Sequence, residues 1–277
     1  KVLELGGGTG VQSFFAAQKA QKVYCVERNP ELVSAARSFL ARNINGDKIE
    51  VIQADALYYL PPEPVDVVIC EMLHTGLLRE KQMSVIDSFK KRYLEKFDGP
   101  LPVFVPEASI QAIQPIEQNF HFEDFYAPNI LFQDPYATQE RSKSLGDPEV
   151  FQLLSYADPF NQICHWDGEI IMAENGQLNA LRLITRNILA VNMLTYSTID
   201  WHTQYIIFPL SVPLTVTKGD HISIRFSYQG GAPLNALSDS LQVCFVNKLA
   251  SVLQSASETL HCSSNLQSEI SETANIL

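Results

Sequence analysis

The sequence predicts an α/β protein with a mostly parallel sheet domain, followed by an antiparallel β-barrel domain with an inserted arm. Three observations support this. Short apolar runs alternate with helical segments over residues 1–105. Beyond residue 105, apolar and polar residues alternate with the period of two expected for half-buried strands. Residues 118–166 hold 10 of the 27 aromatic residues, with seven acidic and two basic residues.

The first domain, residues 1–105, is predicted from five short apolar runs. The expected strands are residues 2–5, 22–26, 49–53, 65–70 and 101–105, and the expected helices are 11–20, 31–43 and 79–94. The β-branched run at 65–70 suits a strand that is buried on both faces. This alternation predicts a Rossmann-like sheet, in which ligands bind beyond the carboxyl ends of the strands.

The second domain is expected over residues 106–246. Residues 221–228 alternate strictly and predict a strand, and further strands are expected at 168–173, 178–196, 204–210 and 241–246, in a barrel or a sandwich. The aromatic segment 118–166 is predicted to be an arm that packs against a second copy, or else a long loop folded onto its own domain. A C-terminal tail, residues 247–277, could be helical.

Composition and charge exclude several classes of function. Of 277 residues, 46% are hydrophobic and 18% charged, which indicates a globular protein. Residues 101–277 carry 7 basic and 18 acidic residues and account for the whole net charge of −11. Nucleic acid is therefore not expected as a partner, whereas a basic protein or peptide is.

The cysteine content and the lengths of the apolar runs restrict the cellular compartment in which the protein is expected. The five scattered cysteines have no metal-ligand spacing, so we expect no disulfide framework, no metal site and a reducing cytoplasm. No apolar run approaches the ~18 residues that span a bilayer. Because the sequence opens at Lys1 inside a strand pattern, we expect that an N-terminal piece of the natural protein precedes it.

A glycine-rich loop follows the first strand. Gly6, Gly8 and Gly10 recur at every second residue, so the backbone can turn tightly and a bulky cofactor can lie against it. Glu4 precedes the first glycine by two residues and would repel a pyrophosphate. The loop therefore predicts a ligand that is cationic or bears an amino group.

Acidic residues also follow the next two strands. Glu27 ends the second strand, where a carboxylate commonly binds ribose hydroxyls. Asp55, with Ala56, follows the third strand and can face an adenine. Together with the glycine loop, these positions predict a site for an adenosine with a positively charged appendage.

The loop motif resembles the first motif of the class I S-adenosylmethionine-dependent methyltransferases. The segment from Cys70 to Glu80 is similar to the paired-glutamate loop of the protein arginine methyltransferases, with Glu71 and Glu80 nine residues apart. Residues 200–204 resemble the barrel loop of that family that contains His-Trp. The resemblance implies S-adenosylmethionine as cofactor and a homodimer formed through the arm at 118–166.

The sequence departs from that family in its substrate pocket. Met72 and Leu73 stand where the family has Trp and Met, and Asp200 replaces the His that precedes Trp201. The resemblance implies that Glu71 and Glu80 are catalytic and that Met72, Asp200 and Trp201 contact the substrate. The helices that cover the cofactor in the family precede the first motif.

Paired glutamates suit a guanidinium acceptor on chemical grounds. Two carboxylates can fix the plane of a guanidinium and concentrate its positive charge, which leaves more lone-pair density on the nitrogen that attacks. If Glu71 and Glu80 converge, like-charge repulsion should raise one apparent pKa.

Three functional hypotheses remain open at this stage. The first is a methyltransferase acting on arginine in a protein or peptide, for which Glu71, Glu80 and Trp201 should converge. The second is a methyltransferase acting on a small molecule or another side chain, which a broad apolar cavity would favour. The third is a dimeric homologue that has lost catalysis, which cofactor affinity would distinguish.

Overall fold

The computed structural model describes residues 1–246, so the tail expected at 247–277 lies outside the described residues. Its first 105 residues form a five-stranded parallel sheet with strand order β3-β2-β1-β4-β5. The strands are β1 (Val2–Leu5), β2 (Val23–Glu27), β3 (Ile49–Gln53), β4 (Val67–Cys70) and β5 (Val103–Val105). The helices are α1 (Val11–Ala17), α2 (Pro30–Leu40) and α3 (Gln82–Lys96). The prediction of a Rossmann-like parallel sheet is confirmed.

Helix positions follow from local sequence. The Asn29 side chain accepts a hydrogen bond from the Glu31 amide at 2.9 Å, and Pro30 occupies the first turn of α2, where its missing donor costs nothing. Helix α3 begins at Gln82, three residues later than expected. Leu77 and Arg79 have φ angles of 55° and 61°, which a right-handed helix cannot include.

The second half of the described chain forms antiparallel sheets. Its strands are β6 (Ala108–Gln118), β7 (His121–Phe122), β8 (Phe125–Tyr126), β9 (Leu131–Gln133), β10 (Ser142–Ser144), β11 (Glu149–Ser155), β12 (Ile163–Ile171), β13 (Gly176–Asn192), β14 (Ser197–His202), β15 (Tyr205–Val216), β16 (His221–Gln229) and β17 (Gln242–Phe245). A short helix, α4 (Asn235–Ser240), precedes β17. The largest sheet, of seven strands, runs in the order β10-β6-β13-β15-β9, with β11 paired to β6 and β14 to β13, and β12-β16-β17 form a second sheet. This curled antiparallel arrangement confirms the predicted fold class.

Strand β6 was not predicted because it lacks the period of two. Both of its faces are buried, so polar residues such as Gln111 and Gln114 stand among apolar ones. The Gln111 side chain accepts a hydrogen bond from the Thr185 hydroxyl at 2.5 Å, and the Gln114 side chain accepts one from buried Arg182 at 2.8 Å. Buried polar side chains of this kind hide the strand pattern.

The aromatic segment 118–166 is largely paired with its own domain. Strands β10 and β11 pair with β6, and β9 pairs with β15. A small separate core lies beneath the segment: Ile116, Phe120, Ala180 and Ile207, with Leu131 against it. The exposed aromatic surface of this segment is therefore limited to the β7–β8 hairpin, residues 121–126, and to Phe132 and Tyr136.

The two halves share one apolar core. Phe89 of α3, Tyr156 and Tyr228 belong to the same buried cluster as the strands of the parallel sheet. None of the helices within residues 1–246 is long and apolar enough to cross a membrane.

Candidate active site

The three glycines of the first loop have different roles. Gly6, Gly8 and Gly10 all have positive φ, at 82°, 53° and 82°. A Cβ built at Gly8 would meet no atom within 4 Å, so this residue leaves an open cradle. A Cβ at Gly10 would lie 2.9 Å from Leu40 of α2, so Gly10 serves close helix packing. Gly6 lies against Met72, whose Sδ would be 3.2 Å from the added carbon.

Glu4 lies beneath this loop and is 3% exposed. The Ser13 hydroxyl of α1 donates a hydrogen bond to its carboxylate. Burial raises the pKa of Glu4 to about 7, and the hydrogen bond from Ser13 opposes that rise. Glu4 therefore ties β1 to α1, and its charge depends on pH near neutrality.

Glu27 and Asp55 stand at neighbouring strand ends, as predicted. The Glu27 carboxylate accepts the amide of Gly8 at 3.0 Å and the amide of Asn29 at 2.7 Å. Each of its oxygens retains a second lone pair for a ligand. Asp55 accepts the Leu57 amide at 2.9 Å, which fixes the turn after β3.

A cavity of about 340 Å³ joins these strand ends. Six of the residues predicted from sequence line this cavity: Gly6, Glu27, Asp55, Ala56, Met72 and Glu80. Arg28, Arg79 and Lys81 also line it. The structure thus places Met72 on the side of the expected cofactor, and not beside Trp201.

Glu71 and Trp201 line a second cavity of about 260 Å³. Its other walls are mostly apolar and include Phe15, Leu189 and Pro106. Glu80 does not line this cavity. Burial, and then the negative charge of Glu80, raise the pKa of Glu71 above its ordinary value of 4.5.

The loop between the two glutamates is held by the second domain. The Gly76 amide donates to the Thr185 hydroxyl at 2.7 Å, and the Tyr228 hydroxyl donates to the Gly76 carbonyl at 2.8 Å. Nearer Glu80, the Arg79 amide donates to the carbonyl of Ala232 at 2.8 Å. These contacts hold a stretch in which several residues adopt left-handed backbone conformations.

Gln82 fixes the other end of the loop. Its side chain accepts the Met72 amide at 3.0 Å and donates to the Cys70 carbonyl at 2.5 Å. Sequence reasoning missed Gln82, Thr185 and Tyr228. Each of these three side chains bonds to the backbone of a residue well separated from it in sequence. Because a backbone group is the same in every residue, no pattern in the sequence points to these contacts.

Asp200 takes part in an ion pair of its own domain. Its carboxylate accepts a hydrogen bond from Arg186 at 2.7 Å, and this contact lowers the pKa of Asp200. It lines neither of the two cavities. Trp201, next to it, does reach the cavity of Glu71.

No group of three or more His, Cys, Asp or Glu residues within 1–246 could hold a metal ion.

Comparison with known proteins finds one matching family model and several relatives. Residues 2–93 match a family model described as a methyltransferase domain. An uncharacterized protein of Methanothermobacter thermautotrophicus is 29% identical over 86% of this chain and 86% of its own length. Protein arginine N-methyltransferase PRMT10 of Arabidopsis thaliana is 33% identical over 43% of this chain and 30% of its own length.

Solved structures show the same fold. The crystal structure of Arabidopsis thaliana protein arginine methyltransferase 10 superposes with a TM-score of 0.64 and 18% identity, over 81% of this chain and 78% of that one. The Trypanosoma brucei PRMT1 enzyme-prozyme complex with AdoHcy gives 0.67 and 16%, over 83% of this chain and 80% of that one.

Proposed function

We propose that this chain methylates a guanidinium nitrogen of arginine in a basic protein or peptide. The chain has the fold and the domain of a class I S-adenosylmethionine-dependent methyltransferase, and it resembles the protein arginine methyltransferases. The observation that carries the proposal is that the loop after β4 brings Glu71 to the cavity of Trp201 and Glu80 to the cavity of Glu27. Two carboxylates that repel each other are matched by a planar cation placed between them.

The cofactor is S-adenosylmethionine, and the residues present fit it. The open cradle at Gly8 admits a bulky ligand against the backbone, and the Glu27 carboxylate at the end of β2 can accept ribose hydroxyls. Asp55 and Ala56 line the same cavity as Glu27 and could contact an adenine. When bound, the cofactor supplies an electrophilic methyl group on a sulfonium.

The chain's own residues would bind and orient the acceptor. Glu71 and Glu80 can hold two edges of the guanidinium, while Trp201 supplies an apolar wall next to Glu71. Because the nitrogen is a weak nucleophile, most of the acceleration would come from orientation, up to ~7–11 kcal/mol in well-placed cases.

A proton must leave the nitrogen as it gains the methyl group. Glu71 can hold it, because burial and the charge of Glu80 raise its pKa. No stronger base is required, because the nitrogen becomes strongly acidic as it gains the methyl group, and loss of its proton leaves the product guanidinium with a single positive charge.

Charge and surface features support the choice of partner. The 18 acidic and 7 basic residues of 101–277 favour a basic protein or peptide over nucleic acid. We also propose a homodimer, for which the exposed aromatic rings of the β7–β8 hairpin, Phe122, Phe125 and Tyr126, offer an apolar surface. The four cysteines within the described residues are free thiols, in keeping with a cytoplasmic setting.

A second candidate is a methyltransferase for a small molecule or another side chain. It is favoured by the location of Glu71 and Glu80 in different cavities and by the apolar character of the one that contains Glu71. An acceptor with one cationic group and an apolar body would suit that cavity.

The test supplies the protein with labelled S-adenosylmethionine and three acceptors. These are an arginine-rich peptide, the same peptide with lysine at each arginine, and a set of small aliphatic amines. Label in the arginine peptide alone supports the proposal, and label in the lysine peptide or the amines supports the second candidate. Absence of transfer together with measurable S-adenosylhomocysteine binding would instead indicate a catalytically inactive homologue.

A further inference from the structure

The side chain of Gln82 forms hydrogen bonds with the backbone on both sides of Glu71, the residue proposed to be catalytic. Gln82 is the first residue of α3 and is 1% exposed. Its Oε1 accepts the amide of Met72 at 3.0 Å, and its Nε2 donates to the carbonyl of Cys70 at 2.5 Å. These two backbone groups lie on either side of Glu71. We call this arrangement the Gln82 bracket.

The bracket replaces a missing strand partner. On one side, the pairing of β4 with β5 ends at Ile69, and on the other its pairing with β1 ends at Cys70. Beyond that point no neighbouring strand within residues 1–246 fixes the backbone. The Gln82 side-chain amide gives this backbone one donor and one acceptor, the same two bonds that a neighbouring peptide group would supply.

Glu71 depends on this backbone because its own side chain has no hydrogen bond within the described residues. The Glu71 side chain lines the cavity that also contains Trp201. A shift of the backbone on either side of Glu71 would therefore move the carboxylate, which no side-chain hydrogen bond within the described residues holds in place.

We propose that Gln82 is a positioning residue that fixes the Glu71 carboxylate relative to Glu80, an inference that rests on the proposed function. The bracket also connects to the barrel. The Tyr156 hydroxyl interacts with the Gln82 side chain and lies 2.9 Å from the Ser109 hydroxyl of β6. The orientation of Glu71 is thus determined by both domains through one buried amide.

The first variant is Gln82→Met, which keeps the length and removes both bonds. Because displacements of about 1 Å can lower a rate ~100-fold, we expect kcat to fall about 10- to 100-fold. The dissociation constant of S-adenosylhomocysteine should change less than threefold. Gln162→Met is the matched control, since Gln162 also bonds α3 through Ser84, at 3.0 Å, away from the site. An unchanged kcat in Gln82→Met, or an equal loss in Gln162→Met, would overturn the proposal.

A second variant covers the case in which Gln82→Met does not fold. In Gln82→Glu, a protonated carboxyl can still donate to Cys70 and accept from Met72, whereas the ionised form cannot donate. We expect the ratio of its kcat to that of the wild type to fall as pH rises. A ratio independent of pH contradicts the bracket.

Hydrogen exchange separates this inference from the proposed function. The Met72 amide should exchange at least tenfold faster in Gln82→Met than in the wild type, because it loses its acceptor. If the wild-type protein methylates none of the acceptors, the proposed function fails. Exchange at Met72 then decides alone whether the bracket exists.

Discussion

The buried carboxyl of Glu4 should make the stability of the fold depend on pH. Its pKa is raised to about 7 in the folded protein, chiefly by burial, against 4.5 for an ordinary glutamate. Folding therefore favours the protonated form. The resulting stabilisation is fully present below pH 4.5 and is lost as pH rises through 7.

The size of this effect follows from the same pKa values. At ~1.36 kcal/mol per pKa unit, the difference amounts to about 3 kcal/mol of folding free energy. Glu4→Gln keeps an oxygen that can accept the Ser13 hydrogen bond and removes the titration. Relative to the wild type, this variant should gain about 3 kcal/mol between pH 4.5 and pH 9.

Urea unfolding at pH 4.5, 7 and 9 measures this difference. Glu31→Gln, at an exposed glutamate in the first turn of α2, is the matched control. If the stability difference between Glu4→Gln and wild type stays the same from pH 4.5 to pH 9, Glu4 does not titrate as a buried group.

Three further predictions concern the site. Glu71→Gln should lower methyl transfer ~100-fold or more and leave S-adenosylhomocysteine affinity within threefold; a loss of affinity with retained transfer would refute the role of Glu71. Glu27→Ala should weaken cofactor affinity about 10- to 100-fold in calorimetry, since hydrogen bonds to a charged group contribute ~1.5–3 kcal/mol; unchanged affinity would exclude ribose binding by Glu27. Tyr228→Phe removes the hydrogen bond to the Gly76 carbonyl and should destabilise the protein by ~1–3 kcal/mol in urea unfolding, and a variant as stable as wild type would show that this contact does not hold the loop.

The parallel sheet could be predicted from sequence because its signals are local. Continuous apolar runs located all five strands, and every strand end lies within two residues of its predicted position. The glycine spacing located the first loop. Strand β6 escaped detection, because the buried amides of Gln111 and Gln114 remove the alternation on which strand prediction depends.

The candidate site was predicted in composition and less well in arrangement. Glu71 and Glu80 are coupled as expected. Their separation into two cavities, and the location of Met72 beside Gly6, depend on where the loop backbone turns. Those turns are set by hydrogen bonds to Thr185 and Tyr228, more than 100 residues away in sequence, which no local pattern records.

The hydrogen bonds between the second domain and Gly76 limit which sequence changes this loop can accept during evolution. A side chain at this position would start 2.4 Å from Leu183, and the backbone there has a φ of 68°. Inserting or deleting a residue between the two acids would shift Gly76 out of its anchorage. We therefore expect homologues that keep these hydrogen bonds to keep the nine-residue spacing between Glu71 and Glu80, even where the residues between them change. The spacing is then a better marker of common ancestry than the identity of those residues.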